Sequence, residues 1–341
     1  MLIEHLQSKI NEKWIYRYRT SSALSIKELL YNEIYFAYPD ELNDPLDLGA
    51  ELYFKEGADF IYKFLLIGAF QSINIPRNKK LPIEVEKAIY EVSIQYSRVQ
   101  RNIKELFTDE HKFWLEEQLK KQNIQVNHFA KLYHNFLNII SNILPSKLLS
   151  VSFSKDYDNP LLWSTYAEKH TGYCMIFSPS KNKLKIRDMQ NARFKKYELN
   201  EVNYSNDINV DLTLMFNESK EFDWDALYNS FFPELIKKAL LTKNSNWYKE
   251  SELRIHRGIS ISFSHLSQEQ ERLTSIDRTY YFSPSQLVGI IFGFKMKNDT
   301  KKDIIKTFDR KKQSVKIFQA FPEGNKIKAE LIEMKTFYKK T

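Results

Sequence analysis

Polar and apolar positions alternate with a period of two near the start of the chain. In "KWIYRYRT" (13–20) Tyr16 and Tyr18 alternate with Arg17 and Arg19, which predicts a strand with tyrosines on one face and arginines on the other. The next stretch, "SSALSIKELLYNE" (21–33), opens on hydroxyl residues, spaces its leucines for one helix face and contains no breaker, so a helix is expected. A second strand is expected at "IYFAYP" (34–39), running into "DELNDPLD", a turn rich in Asp, Asn and Pro.

From about residue 55 the texture changes to long amphipathic segments such as "VEKAIYEVSIQYSRVQRNIKELF" and "HFAKLYHNFLNIISNIL", which predict a helical block. Strand periodicity returns in "LLSVSFS" (148–154), where Ser150, Ser152 and Ser154 share one face and Val151 and Phe153 the other. "NPLLWSTYAEKH" (159–170) predicts a helix with Pro160 in its first turn. Trp163, Tyr166 and His170 would then share one helical face. The stretch "TGYCMIFSP" follows as a strand, "EVNYS" (201–205) as another, and "DWDALYNSFFPELIKKALL" as a helix that Pro233 bends or divides. A buried strand at "QLVGIIFGF", a helix at "DTKKDIIKTFDR" and closing strands at "SVKIFQAF" and "KIKAELIEM" complete the pattern. These elements predict an α+β (mixed α/β) fold with a central mixed sheet. We expect one domain over 1–341, with its α/β core in 1–54 and 148–341 and a large helical insertion at 55–147.

"WYKESELRI" (247–255) sets two carboxylates and an arginine at alternate positions. On a helix, Glu250 and Arg254 would form an i,i+4 ion pair and Glu252 would point elsewhere. On a strand, Glu250, Glu252 and Arg254 would share a face. The β-branched alternation in "ELRIHRGISISF" favours the strand.

Composition narrows the chemistry. The chain has 20 Tyr and 24 Phe but only 8 Gly, which argues against a glycine-rich phosphate loop or a dinucleotide-binding fold. A net charge of +8 allows an anionic partner, nucleic acid included. Cys174 is the lone cysteine, so no internal disulfide forms and a reducing compartment is expected. No stretch approaches the about 18 apolar residues of a membrane helix, and the start lacks a leader's apolar run. The protein is therefore expected to be cytoplasmic, with no membrane partner.

Each candidate residue has a structural and a functional meaning. Paired carboxylates Glu250 and Glu252 repel unless paired or solvated; they form either a working acidic dyad or a wet ion-pair ladder with Arg254. Arg17 and Arg19 would clamp a pyrophosphate or lie over acidic neighbours. Tyr16, Tyr18 and Trp163 fit a core, whereas Tyr166 and His170 carry polar tips that need partners. Asn43 and Asp44 would cap a turn fixed by Pro45. Alternatively Asn43, Asp44 or Asp47 line a cleft and ligate a hard metal with Glu250, Glu252 and His170, as a phosphodiester-cleaving nuclease would require.

The ordered set "YRYR", "LNDPLD", "SFS", "LLWSTYAEKHTG", "WYKESELRI" and "LVGIIFG" resembles the bacterial domain-of-unknown-function family 2971 over nearly the whole chain. That resemblance implies an effector of phage defence or a toxin. The order of the motifs is also similar to ADP-ribosyltransferases of the arginine-serine-glutamate type, with Arg17 or Arg19, then Ser152 or Ser154, then the glutamates of "ESE". This chain has "SFS" where that group has Ser-Thr-Ser, and its helical block precedes the serines. The likeness implies an ADP-ribosyltransferase-like fold with NAD as substrate and no metal. It further implies Glu252 and Glu250 as catalytic groups with Tyr166 stacked on nicotinamide, and Arg17, Arg19, Ser152 and Ser154 around the nucleotide; on their own chemistry His170 joins the catalytic candidates and Asn43 and Asp44 the nucleotide-binding ones. Glu252 would stabilise an oxocarbenium-like ribose and Glu250 would orient or deprotonate the acceptor, a nucleic acid or a protein. A metal-dependent nuclease and a non-catalytic sensor of a nucleotide or phage component are the rival expectations.

Overall fold

The alternation of β-branched and aromatic residues with small or charged ones builds two sheets. A computed structural model describes residues 1–10, 13–44, 47, 52–53, 83, 87, 90, 148–206, 210–211, 240–258 and 273–332. Its larger sheet has eight strands, from edge to edge β16 (Lys326–Leu331), β15 (Lys316–Glu323), β14 (Leu287–Phe292), β5 (Tyr173–Phe177), β1 (Ile15–Arg19), β4 (Leu148–Ser154), β12 (Glu252–Gly258) and β8 (Asn200–Glu201). Neighbours are antiparallel except β14 and β15, which are parallel and joined through helix α4 (Asn298–Arg310). A second, antiparallel sheet has four strands, β2 (Glu33–Tyr35), β13 (Thr279–Phe282), β6 (Lys183–Arg187) and β7 (Lys195–Glu198). Two short parallel ribbons pair β3 (Leu52–Tyr53) with β10 (Val210–Asp211), and β9 (Asn203–Tyr204) with β11 (Thr242–Lys243).

The described residues thus form a mixed α/β fold around a mixed sheet. Strand β1, from the N-terminal part of the expected core, lies between β5 and β4 from the part beyond residue 148. The expected insertion at 55–147 lies outside the described residues apart from Ile83, Lys87 and Tyr90, which are helical. The helix expected at 223–241 likewise falls outside them, except for Leu240 and Leu241. No helix among the described residues is long and apolar enough to cross a membrane.

Alternation gives the larger sheet two apolar faces. Ile15, Val151, Phe153, Met175, Leu253 and Ile290 pack toward the second sheet and toward α2 (Ala23–Tyr31) and α4. On the other face Tyr16, Tyr18, Cys174 and Ile176 meet Ile3 of α1 (Ile3–Ile10) and Leu162 and Trp163 of α3 (Pro160–Thr165). Burial of each large side chain stabilises by about 1.5–3 kcal/mol relative to exposure. Tyr16, Tyr18 and Trp163 are core residues, as their pattern predicts.

Helix α3 begins as expected, with the Asn159 side chain accepting from the Leu161 amide at 2.9 Å and Pro160 in the first turn. It ends five residues earlier than the periodicity predicts. Glu168, Lys169 and His170 turn left-handed, with φ of 50°, 53° and 71°. The turn brings Gly172 against β1, where a Cβ would sit 2.1 Å from the Arg19 carbonyl oxygen.

The larger sheet is split. Five residue pairs join β1 to β5, from Ile15 with Phe177 to Arg19 with Tyr173, but a single pair, Tyr16 with Ser154, joins β1 to β4. Beyond it the two strands part. Ala37 enters the wedge and exchanges backbone hydrogen bonds with Ser150 at 2.9 and 3.0 Å. The expected strand at 34–39 is therefore shorter, since after β2 the chain goes to this bridge and then to a 3-10 turn at Pro39–Glu41.

Candidate functional site

The wedge between β1 and β4 holds a cavity of about 330 Å³ lined by residues from both strands, from the turn after β2 and from the start of β12. Its acidic wall begins at "KESE". Glu250 ends a 3-10 helix, Ser245–Glu250, and Ser251 adopts a left-handed conformation with φ 46° before β12 begins at Glu252. The two glutamates therefore do not share a strand face as the alternation predicts. The kink at Ser251 turns both toward the same point. Ser154 holds it by donating from Oγ to the Glu250 carbonyl at 2.7 Å, while the Lys155 amide donates to the Ser251 carbonyl at 2.9 Å.

That point is the ammonium of Lys243. Its Nζ lies 2.7 Å from Glu250 Oε2, 3.1 Å from Asp47 Oδ2 and 3.3 Å from Glu252 Oε2. Pairing of β11 with β9 sets Lys243 opposite Tyr204, whose hydroxyl accepts from the Glu252 amide at 2.8 Å. Arg254 grips Glu252 with two donors, Nε to Oε1 at 2.7 Å and Nη2 to Oε2 at 2.9 Å. Its Nη2 also reaches Asp47 Oδ2 at 2.6 Å, and its Nη1 donates to the Leu240 carbonyl. The ladder on a wet edge is thereby corrected: Arg254 is 1% exposed and Glu252 5%.

Three acidic side chains, Asp47, Glu250 and Glu252, face the two cations Lys243 and Arg254. Burial works to raise the Glu252 carboxyl, but Arg254 and then Lys243 outweigh it and hold Glu252 below its ordinary range. Burial works to lower Lys243; the charges of Glu252, Asp47 and Glu250 win and push it well above its ordinary range. Lys243 is thus a fixed cation, not a base or nucleophile. Tyr166, the capping residue of α3, donates its phenol to Glu250 Oε1 at 2.8 Å. Burial first, and then the Glu250 charge, raises that phenol well above its usual value, so it stays a donor.

The basic wall comes from β1. Arg17 Nη1 spans the wedge to the Ser152 carbonyl at 3.0 Å, and its guanidinium lies 5.9 Å from the Phe153 ring centroid. Burial, with Arg19 beside it, pushes Arg17 down to about 10, so it remains charged at neutral pH. Arg19 pairs with Glu28 of α2. Four residues lining the cavity each keep a buried polar atom without a partner among the described residues: Arg17 Nε, Arg19 Nε, Asp47 Oδ1 and Ser150 Oγ.

Of the residues singled out from the sequence, Arg17, Arg19, Asn43, Asp44, Ser152, Ser154, Tyr166, Glu250 and Glu252 all line this one cavity. His170 does not. Its ring lies between Trp163 and Phe294, with centroids 6.2 and 4.4 Å away, and its Nδ1 is buried without a partner. Lys243 escaped the sequence altogether, because a single lysine in "LLTKNSNW" carries no spacing signal. Among the described residues no group of three or more His, Cys, Asp or Glu is placed to hold a metal. Asp47, Glu250 and Glu252 converge, but on an ammonium.

Fold and site together define a mixed α/β protein whose split sheet holds a charged cleft. A family model described as "Protein of unknown function (DUF2971)" matches residues 162–255. The match spans α3 to β12 and so includes Tyr166, Lys243, Glu250, Glu252 and Arg254, but stops short of β1 and the turn at 43–47; the expected likeness over nearly the whole chain is narrowed to this span. No curated protein and no solved structure matches the chain.

Proposed function

We propose that the cleft binds a nucleotide and uses NAD as the donor in ADP-ribosyl transfer. The observation that carries this reading is the set of unpartnered atoms in the cavity lining: two guanidinium donors, one carboxylate acceptor and one hydroxyl. An unpaired buried polar atom is unfavourable by about 1–3 kcal/mol, so a ligand that pairs these atoms binds with that advantage. A phosphorylated ribose offers the complement, anionic oxygens for Arg17 and Arg19 and hydroxyl donors for Asp47.

In the reaction, the bond from ribose C1′ to the nicotinamide nitrogen breaks and its electron pair leaves with nicotinamide, which departs neutral. Positive charge grows on the ribose, and Glu252, kept ionised by Arg254 and Lys243, stabilises it. The acceptor nucleophile then bonds to C1′ and passes its proton to Glu250, which Tyr166 orients. An effector of phage defence acting this way would deplete NAD or mark a target.

Purified protein is expected to bind ADP-ribose in calorimetry and to release nicotinamide from NAD, with release lost in Glu252→Gln while circular dichroism shows the fold retained. Binding without release, at millimolar NAD and with candidate acceptors present, would remove the transferase and leave a nucleotide sensor. Folded protein that binds neither NAD nor ADP-ribose would overturn the nucleotide site itself.

A further inference from the structure

We propose that the outer face of the four-stranded sheet binds single-stranded nucleic acid, independently of the reaction in the cleft. Residues 181–198, which comprise the turn into β6, β6 itself, its connection and β7, contain seven basic residues against two acidic ones. That segment alone holds five of the chain's eight net positive charges.

The strand pattern settles which way the charges point. Leu184 and Ile186 of β6 are fully buried, so Lys183, Lys185 and Arg187 alternate to the outside. Lys185 stands directly opposite Lys196 of β7. Like charges at that position destabilise a sheet. None of the segment's basic residues makes an ion pair among the described residues. Its two acids, Asp188, which accepts three hydrogen bonds from Asn191, and Glu198, opposite Lys183, offset only part of the seven positive charges, and Glu33 of β2, opposite Tyr281, is paired with Lys27.

Aromatic rings interleave with the cations. Tyr280 and Phe282 of β13 are buried, so Tyr281 faces outward, in register with Arg187. The Arg187 guanidinium lies 4.7 Å from the Tyr281 ring centroid and 5.7 Å from that of Phe194, which is 40% exposed. A sheet that presents rings beside lysines with no ion pair among the described residues fits a strand with free bases: rings stack on bases, and ammonium groups follow the phosphates. A duplex hides its base faces, and a lipid surface has none to offer.

The test is fluorescence polarisation of labelled single-stranded RNA and DNA 20-mers with the full chain over a range of salt. Affinity is expected to fall steeply with salt. Lys185→Glu with Lys196→Glu should weaken binding at least tenfold and flatten the salt slope. Phe194→Ala should weaken it at least fivefold and leave the slope in place, because stacking releases no counterions. Circular dichroism checks the fold of each variant. The proposal is overturned if the folded variants bind as the parent does. It is also overturned if inorganic polyphosphate or phosphatidylserine vesicles bind as tightly and Phe194→Ala changes nothing, which would make the face a generic anion surface.

Discussion

Lys243 decides how the acidic residues of the cleft behave. Without it, Asp47, Glu250 and Glu252 would share a buried space with only Arg254 as counter-charge. Breaking a buried charge pair by removing one partner is unfavourable by about 3–5 kcal/mol; Lys243→Met is expected to lower stability by about that much, read from urea midpoints. The cluster also sets a pH window. Glu252 is held below its ordinary 4.5, so its contribution is present above that pH and is lost as pH falls through the folded value. Lys243 is held above its ordinary 10.5, so its contribution is present below that pH and is lost only as pH rises further. Urea midpoints should therefore show the cluster's contribution flat from about pH 5 to 10 and declining in acid, with the acid decline reduced in Glu252→Gln. Tyr166→Phe should be milder, destabilising by about 1–2 kcal/mol through the lost bond to Glu250, while reducing nicotinamide release many-fold. The sequence singled out Glu250, Glu252, Arg17, Arg19 and Tyr166 by residue type and spacing, and they line one cavity, though the two glutamates meet through the kink at Ser251 and not on a shared strand face. It did not single out Lys243, whose meaning arises only when β11 is carried beside β12.

At the level of elements, the sequence revealed strands where the alternation or the apolar run is long or rich in large side chains, and β1, β4, β5 and β14 fall where the pattern puts them. The strands β6, β7 and β13 went unassigned because "KLKIR", "KKYE" and "TYYF" bury few apolar side chains each. Helix α3 was overextended for a different reason. Glu168 and Lys169 have no left-handed preference, and of the three only His170 belongs to a type enriched there; the close approach of Gly172 to β1 overrides their helical periodicity. The position is a strict one. Gly172→Ala forces a methyl group onto backbone that cannot yield like a side-chain tip, and is expected to destabilise by at least about 1–3 kcal/mol in thermal or urea unfolding.

For the molecule as a whole, the expected mixed α/β fold around a mixed sheet holds, and in that sheet β1 lies between strands from beyond residue 148. The split in the sheet was beyond sequence reading. Nothing in "YRYR" or "SFS" says that one residue pair will join those strands and that Ala37 will enter the gap. The second sheet ends at β2, whose Tyr35 lines the cleft, two strands away from β6. Where neighbouring strands share a full ladder, amides are shielded on both sides; along β1 and β4 only one rung does this work. Deuterium should therefore enter at this seam before it reaches β5 or β14, and a nucleotide bridging the wedge should slow that uptake, giving mass spectrometry a direct report on occupancy.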